Sequence, residues 1–185
     1  GTYTVATGDE SADLDCDPAL VLTGGSITDL NSNIMTNFSV PDTQTLADNK
    51  DIEIDGIVPT ISLNATPNIT AANETTYTVS GNCSEDGQMV SVIIGGTVNA
   101  APTCVGGTFT TSPLVVSGIA DGTSISITAD ISDPAGNDAT QASAAVDKDT
   151  EGPTVAIGAP SATHVNDSGT ISYGITYTGA DTVNL

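Results

Sequence analysis

Oxygen ligands for a hard cation are the chemistry that the side chains of this chain offer most often. Of its 185 residues, 18 are Asp and 5 are Glu. Calcium takes six to eight oxygens from carboxylates, carbonyls and waters, so a site needs acids from several loops. The candidate ligands are Asp130, Asp133, Asn137, Asp138, Asp147, Asp149 and Glu151 at one junction, and Asp29, Asn33, Asp51, Glu53 and Asp55 at an equivalent one. We expect each set to gather at one pole of a domain, facing residues such as Glu85 and Asp86.

A third acidic group lies on a short segment near the start and comprises Asp9, Glu10, Asp13, Asp15 and Asp17. It lacks the central Gly and terminal Glu of an EF-hand loop. For all three groups the alternative is ordinary turn chemistry, because Asp and Asn bind their own backbone in turns without any metal. A net charge of −21 also fits adaptation to high salt, so acidity alone leaves calcium and salt adaptation both open.

The first two acidic sets belong to a sequence motif that occurs twice in the chain. The two copies run from 26–33 to 54–60 and from 130–137 to 148–154. In sequence, the distance between the two Asp/Pro pairs is about ten residues shorter than the distance between the two Asp/Asn pairs. An insertion in the loop of the first copy would produce this difference. Such self-similarity predicts a tandem array of domains.

Short β-strands are the elements that must position these residues. Between 58 and 150 the apparent strands are 60–64, 75–81, 89–94, 108–110 with 114–116, 124–131 and 140–146. Alternation is cleanest where Ile125, Ile127 and Ala129 share one face. Six or seven strands in about 90 residues predict an antiparallel β-sandwich in an all-β protein. No apolar stripe of helical period is long enough to predict a helix.

The repeat divides the chain into three parts. Residues 58–150 form one complete domain, 1–57 the C-terminal half of a preceding domain and 151–185 the N-terminal half of a following one. A half sandwich exposes an apolar face and unpaired edges. Either continuing sequence completes each half, or halves from successive subunits exchange strands, 171–177 pairing with 20–30.

Cysteine and asparagine positions suggest two covalent features. Cys83 and Cys104 lie at the ends of neighbouring strands, which favours a disulfide over two buried thiols and leaves Cys16 with a partner elsewhere. Sequons with a weak excess over chance mark Asn37, Asn64, Asn68, Asn73 and Asn166 as candidate glycosylation sites.

Four segments resemble the bacterial Ig-like, or cadherin-like, repeats of giant surface adhesins. They are 73–81, 120–123, the Asp-Pro-Ala-Gly-Asn turn at 133–137 and the Asp-Thr-Glu-Gly-Pro-Thr linker at 149–154. The resemblance implies tandem immunoglobulin-like sandwiches that extend an adhesin or fibre from the cell, with Ca²⁺ often rigidifying the junctions and neighbouring copies as head-to-tail partners. Ile57 departs from the pattern, since the second linker has Glu151 there.

Composition bounds the function. Lys50 and Lys148 are the only basic residues, which argues against nucleic acid and anionic membrane surfaces as partners. No apolar run is long enough to insert into a membrane. With one histidine, His164, and no nucleophile motif, we expect no enzyme. The prediction is a structural repeat of an extracellular adhesin or filament; the alternative is a ligand- or carbohydrate-binding Ig-like module of a secreted protein.

Overall fold

Two packed β-sheets occupy the middle of the chain in the computed structural model, which describes residues 2–17, 19, 21–41, 43–180 and 182–183. The first elements are β1 (Glu10–Ser11), α1 (Leu46–Asn49) and β2 (Ile54–Asp55). The middle contains β3 (Ile61–Leu63), β4 (Ile69–Thr70), β5 (Ser80–Cys83), β6 (Ser91–Ile94), β7 (Val98–Ala100), β8 (Thr108–Thr110), β9 (Gly122–Asp130) and β10 (Ala142–Asp149). The last elements are β11 (Thr154–Ile157) and β12 (Ile175–Thr178).

The strand order of the middle region is that of an immunoglobulin-like sandwich. One sheet has the order β4-β10-β9-β6-β7 and the other β3-β5-β8. All pairs are antiparallel except β4 with β10. The smaller sheet corresponds to strands A, B and E of the immunoglobulin fold, and β10, β9, β6 and β7 to G, F, C and C′. The prediction of an all-β, Ig-like sandwich is therefore confirmed.

Alternating apolar residues on facing strands form the core between these sheets. Ile127 and Ala129 of β9 are fully buried, as their alternation predicts. Tyr77 is buried and donates its hydroxyl proton to the Pro67 carbonyl oxygen at 2.6 Å, which satisfies the polar end of the ring. The remaining core side chains include Ile69, Val79, Val90, Val92, Ile94, Phe109, Val116, Ile131 and Val146.

A disulfide between Cys83 and Cys104 adds a covalent link to this core. Close by, Val105 and Thr108 form a bridge around Gly106 and Gly107, which both have positive φ. Two consecutive positive φ values define the tight turn that glycine favours. The Asp86 carboxylate accepts hydrogen bonds from both glycine amides, at 3.1 and 2.8 Å, so this acid organises a turn.

Two expected elements differ in the structure. The strand expected at 75–81 begins only at Ser80, because earlier residues pair with irregular segments: Tyr77 bridges Leu114 and the Val79 amide donates to Thr111 Oγ1. For the same reason 114–116 contributes one bridge rather than a strand.

One short helix, the four residues of α1, was not predicted from the sequence. Thr45 and Asp48 form a capping box, in which each side chain accepts from the other's backbone amide. A single turn is too short to produce a helical apolar stripe, which is why periodicity missed it. No helix among the described residues is long and apolar enough to cross a membrane.

The flanking segments are less enclosed than the sandwich. β1 pairs with β2 just before the sandwich begins, and β11 pairs with β12 after it. Every residue of β11 and β12 is exposed. The assignment of 1–57 and 151–185 as half domains stays a prediction.

Candidate functional site

A turn between β9 and β10 forms one half of the candidate junction. The Asp133 carboxylate accepts hydrogen bonds from the backbone amides of Gly136 and Asn137, both at 2.8 Å, and from Asn137 Nδ2 at 2.7 Å. The bond from the Asn137 side chain, helped by the backbone donors, lowers the pKa of Asp133. Asp133 is only 7 % exposed. Its charge therefore acts inside the turn, which it keeps in one conformation.

The other half of the junction is the linker that precedes the sandwich. Asn137 Nδ2 donates to the Asp55 carbonyl oxygen at 2.9 Å, across 82 residues of sequence. On the opposite side, the Gly56 amide donates to the Asp9 carbonyl and the Gly56 carbonyl accepts from the Gly8 amide, both at 2.7 Å. A Cβ at Gly56 would collide with the Ala6 carbonyl oxygen. The linker backbone is thus held from both sides.

The first copy of the repeated sequence motif forms the same turn. Asp29 Oδ1 accepts from the Asn33 amide at 2.9 Å and Asp29 Oδ2 from Asn33 Nδ2 at 2.8 Å, which lowers the pKa of Asp29. Three backbone bonds around the two turns also correspond one to one. Ser32 has a φ of +67° where Gly136 has +95°, a conformation that favours glycine. The repeat in sequence is therefore a repeat in structure, but Asp29 and Asn33 are exposed.

The two linkers also share a local turn. Asp55 Oδ1 accepts from the Ile57 amide and Asp149 Oδ1 from the Glu151 amide, each at 3.0 Å. This is the bond from a carboxylate to the amide two residues on that Asp forms in turns. Replacement of Glu by Ile at the second position leaves the turn unchanged, because only its backbone takes part.

The expected gathering of the acidic set between Asp130 and Glu151 at one pole is wrong. Asp130, Asp133, Asn137 and Asp138 lie at the start of β10, whereas Asp147, Asp149 and Glu151 lie at its end. The eight residues of β10 separate the two ends by about 25 Å at the rise of an antiparallel strand. The turn therefore meets the linker before its own domain, and the Asp149 linker lies at the opposite pole.

An acidic cleft does form where the turn meets the first linker. A cavity of about 290 Å³ is lined by residues that include Glu10, Glu53, Asp55, Glu85 and Asp133. Within the described residues, however, no three Asp, Glu, His or Cys side chains are placed to hold one metal ion. Several carboxylates are already engaged: Asp138 with Ser132, Asp130 with Gln141, and Asp147 with Ser124. The described residues therefore form no ready metal cage, and calcium binding at the junctions stays a prediction.

The acidic group near the start of the chain stabilises local structure. Asp15 Oδ1 accepts from the amides of Leu46 and Ala47, at 3.1 and 3.3 Å, and so binds the first turn of α1. Asp9 Oδ2 accepts from the Tyr3 hydroxyl at 2.7 Å, and this bond lowers the pKa of Asp9. These contacts are the turn and cap chemistry that the sequence left open as the alternative to metal.

Lys148 forms an ion-pair network that the sequence analysis missed. Its Nζ lies 3.2 Å from Glu74 Oε2 and 3.2 Å from Asp121 Oδ1, and its side chain is 2 % exposed. Burial alone would lower the pKa of Lys148, but the hydrogen bonds to both acids raise it. Asp121 also accepts from the Thr150 amide at 2.9 Å, the largest of the causes that lower its own pKa. The available signal was the position of Lys148, one of only two lysines in an acidic chain, two residues after the buried Val146 on the same strand.

Two of the candidate sequon asparagines, Asn37 and Asn73, take part in turns, and Asn64 contacts the neighbouring strand β5. Asn73 Oδ1 accepts from the Thr70 amide and Asn73 Nδ2 donates to the Asn68 carbonyl oxygen. Asn37 Oδ1 accepts from Ser39, and Asn64 Nδ2 donates to Ser80 Oγ. Glycosylation of these residues and of Asn166 stays a prediction.

No protein-family model and no curated protein matches the chain. Among solved structures it is similar to a bacterial immunoglobulin-like domain from the M. primoryensis ice-binding adhesin, with 25 % identity over 50 % of this chain and 98 % of that one and a TM-score of 0.39. It is also similar to a tetra-tandem repeat in the extending region of a large adhesion protein, with 18 % identity over 67 % of this chain and 38 % of that one and a TM-score of 0.37. The fold assignment rests on strand order and register.

Proposed function

We propose that this chain is a structural repeat of an extracellular adhesin or filament, and that its units act as stiff, acidic spacers arranged in series. The proposal rests on one contact, between a turn and a linker that each occur twice in the chain. The Asn137 amide group binds the Asp55 carbonyl of the preceding linker, and both turn types recur elsewhere in the chain.

Stiffness follows from how few backbone groups of the linker remain free to reorient. The Asp55 carbonyl and both polar groups of Gly56 have partners within the structure. Rotation of the linker would break bonds on both sides at once, whereas an exposed Gly-containing linker would otherwise sample many conformations. Successive units then keep one orientation, which is the property that a spacer needs.

The net charge and the disulfide support an extracellular repeat whose units are arranged in series. A net charge of −21 keeps neighbouring fibres apart and soluble. The Cys83–Cys104 disulfide is the kind of link that persists in oxidising compartments. The proposed junction does not depend on calcium, because its contact is a direct hydrogen bond between the turn and the linker.

Small-angle X-ray scattering and surface labelling test the proposal together. We expect a scattering cross-section close to that of one sandwich and an elongated distance distribution. Antibodies against folded residues 58–150 should label unpermeabilised source cells, with antibodies against a cytoplasmic protein as the control. A rounded particle together with label only after permeabilisation would contradict the spacer role.

A further inference from the structure

The buried amine of Lys148 lies against two carboxyl groups of the sandwich. Its Nζ is 3.2 Å from Glu74 Oε2 and 3.2 Å from Asp121 Oδ1, and its side chain is only 2 % exposed. The backbone fixes this position, because Lys148 pairs with Ile69 of β4 on one side and with Gly122 of β9 on the other. One acid would be enough to neutralise the amine, so the second is available for chemistry.

The two acids have different hydrogen-bond partners. Asp121 Oδ2 accepts from the Thr150 amide at 2.9 Å, and Thr150 Oγ1 lies 2.9 Å from Oδ2 and 3.1 Å from Oδ1. Among the contacts of the described residues, the Glu74 carboxylate accepts only from Lys148. Fixed donors on a carbonyl oxygen stabilise the negative charge that develops there in acyl transfer, whereas a carboxylate with free lone pairs can accept a proton. Asp121 is thus placed as the acyl group and Glu74 as the base.

We propose that Lys148 and Asp121 form an intramolecular amide bond, with Glu74 as the general base. The Lys148 ammonium first gives a proton to Asp121 Oδ1, which leaves a neutral amine beside a neutral carboxylic acid. The amine then attacks Asp121 Cγ, and Thr150 stabilises the charge that develops on Oδ2. Glu74 takes a second proton from Nζ and passes it to Oδ1, which leaves as water. The third proton stays on the amide nitrogen, and Glu74 is again a carboxylate.

Proximity favours this condensation over that of a free amine and a free acid. Because Asp121 Oδ1 is 3.2 Å from Nζ, the carbon under attack is at most one carboxylate bond farther away. Reactants fixed in this way behave as though their effective concentration were about 10⁵ M or more. Burial of Lys148 favours its neutral, nucleophilic form, and the uncharged product removes an ion pair whose desolvation is costly.

The amide bond lies where the sandwich leads into the Asp149 linker. It closes a loop over a sequence separation of 27 residues, which contains β9 and all of β10 except its last residue. Tension on the linker then reaches β9 through the amide, and the two strands stay joined. This bond goes beyond the proposed spacer role, and its test is independent of that role. Before it forms, the three groups are the ion pair described above, and the pH dependence of that pair refers to unreacted chain.

Intact mass spectrometry of the full chain tests the bond. After incubation of the folded wild type at neutral pH, disulfide reduction and denaturation, we expect a mass one water molecule below that of the sequence. Lys148→Arg keeps the cation but has no nucleophilic amine, so it should retain the full mass. Lys50→Arg, at the exposed lysine, is the matched control and should lose the water as the wild type does. A wild type that retains its full mass would overturn the proposal, whether or not the variants fold.

Peptide sequencing separates this bond from other losses of water. Asp-Gly pairs such as Asp121-Gly122 can lose water to a cyclic imide without any lysine. Loss that persists in Lys148→Arg would therefore count against the amide. We expect tandem mass spectrometry of a digest to show one branched peptide that joins Lys148 to Asp121. A branch to Glu74 instead would overturn the assignment of acyl group and base.

The rate of bond formation after refolding tests the base. Glu74→Gln should slow the loss of water about a hundredfold or more, because the amide side chain cannot accept the proton. Glu151→Gln, at an exposed acid near the same end of β10, is the matched control and should leave the rate unchanged. Circular dichroism checks that both variants are folded. Equal rates for folded Glu74→Gln and the wild type would show that Glu74 is not the base.

Discussion

At the scale of single residues, the carboxylates of this chain act mainly as backbone acceptors. Asp133, Asp29 and Asp15 each bind two or more donors in a turn or at a helix end. A carboxylate that accepts several hydrogen bonds is stabilised in its charged form. The acidity of the chain thus has a structural use that does not require a metal.

Replacing Asp133 tests this use. A lowered pKa in the folded state means that Asp133 contributes stability above the unfolded value of about 3.9, and loses it as the pH falls through the folded value. Asp133→Asn should therefore lower the melting temperature at neutral pH, and the gap to the wild type should close in acid. Thermal denaturation across pH checks this, with exposed Asp167→Asn as the control. A gap that persists unchanged below pH of about 3 would contradict an ionic role.

Lys148 should stabilise the folded chain through its charge and its burial together. Lys148→Met keeps an apolar stem but leaves Glu74 and Asp121 without their cation, so we expect the melting temperature to fall by several degrees at neutral pH. Because the pKa of Lys148 is raised, the wild-type contribution should persist until the pH rises beyond about 10.4. Lys50→Met is the matched control at the exposed lysine. Equal melting temperatures for the two variants would rule out a stabilising network.

At the scale of elements, alternation and turn residues predicted the sandwich well. β9 was expected at 124–131 and lies at Gly122–Asp130, and the strand expected at 60–64 lies at Ile61–Leu63. The strand expected at 140–146 already separates Asp138 from Asp147, so the acids on its two sides could have been assigned to opposite poles from the sequence; grouping them by closeness in the chain was the error. Sequence reasoning also missed α1, whose stability comes from capping by Asp15 rather than from periodicity.

The disulfide should raise the free energy of unfolding mainly by restricting the conformations of the unfolded chain. Cys83 and Cys104 are 21 residues apart, and loop closure at that length stabilises by about 3 kcal/mol. We expect the Cys83→Ala, Cys104→Ala double variant to lose about this much in urea denaturation. Cys16→Ser should change nothing, since Cys16 is free and exposed. A loss below about 1 kcal/mol would indicate that the unfolded chain is already compact in this region.

At the scale of the whole molecule, like-charge repulsion opposes both folding and association. With 23 acids and 2 lysines, added cations should stabilise the chain by screening. Because the described carboxylates do not form a metal cage, we expect equal concentrations of calcium and magnesium to raise the melting temperature equally. Differential scanning calorimetry with each ion measures this. A rise specific to calcium would contradict the expectation and support the metal prediction at the junctions.

The central claim is that the Asn137–Asp55 contact fixes the orientation of successive units. Pulsed electron–electron double resonance between spin labels on native Cys16 and on Ser143→Cys, an exposed residue of β10, measures this orientation most directly. We predict one narrow distance distribution, which Asn137→Ala broadens and the control Asn99→Ala, on the edge strand β7, leaves narrow. A distribution that is already broad in the otherwise unaltered chain, or one that Asn137→Ala does not change, would contradict the account.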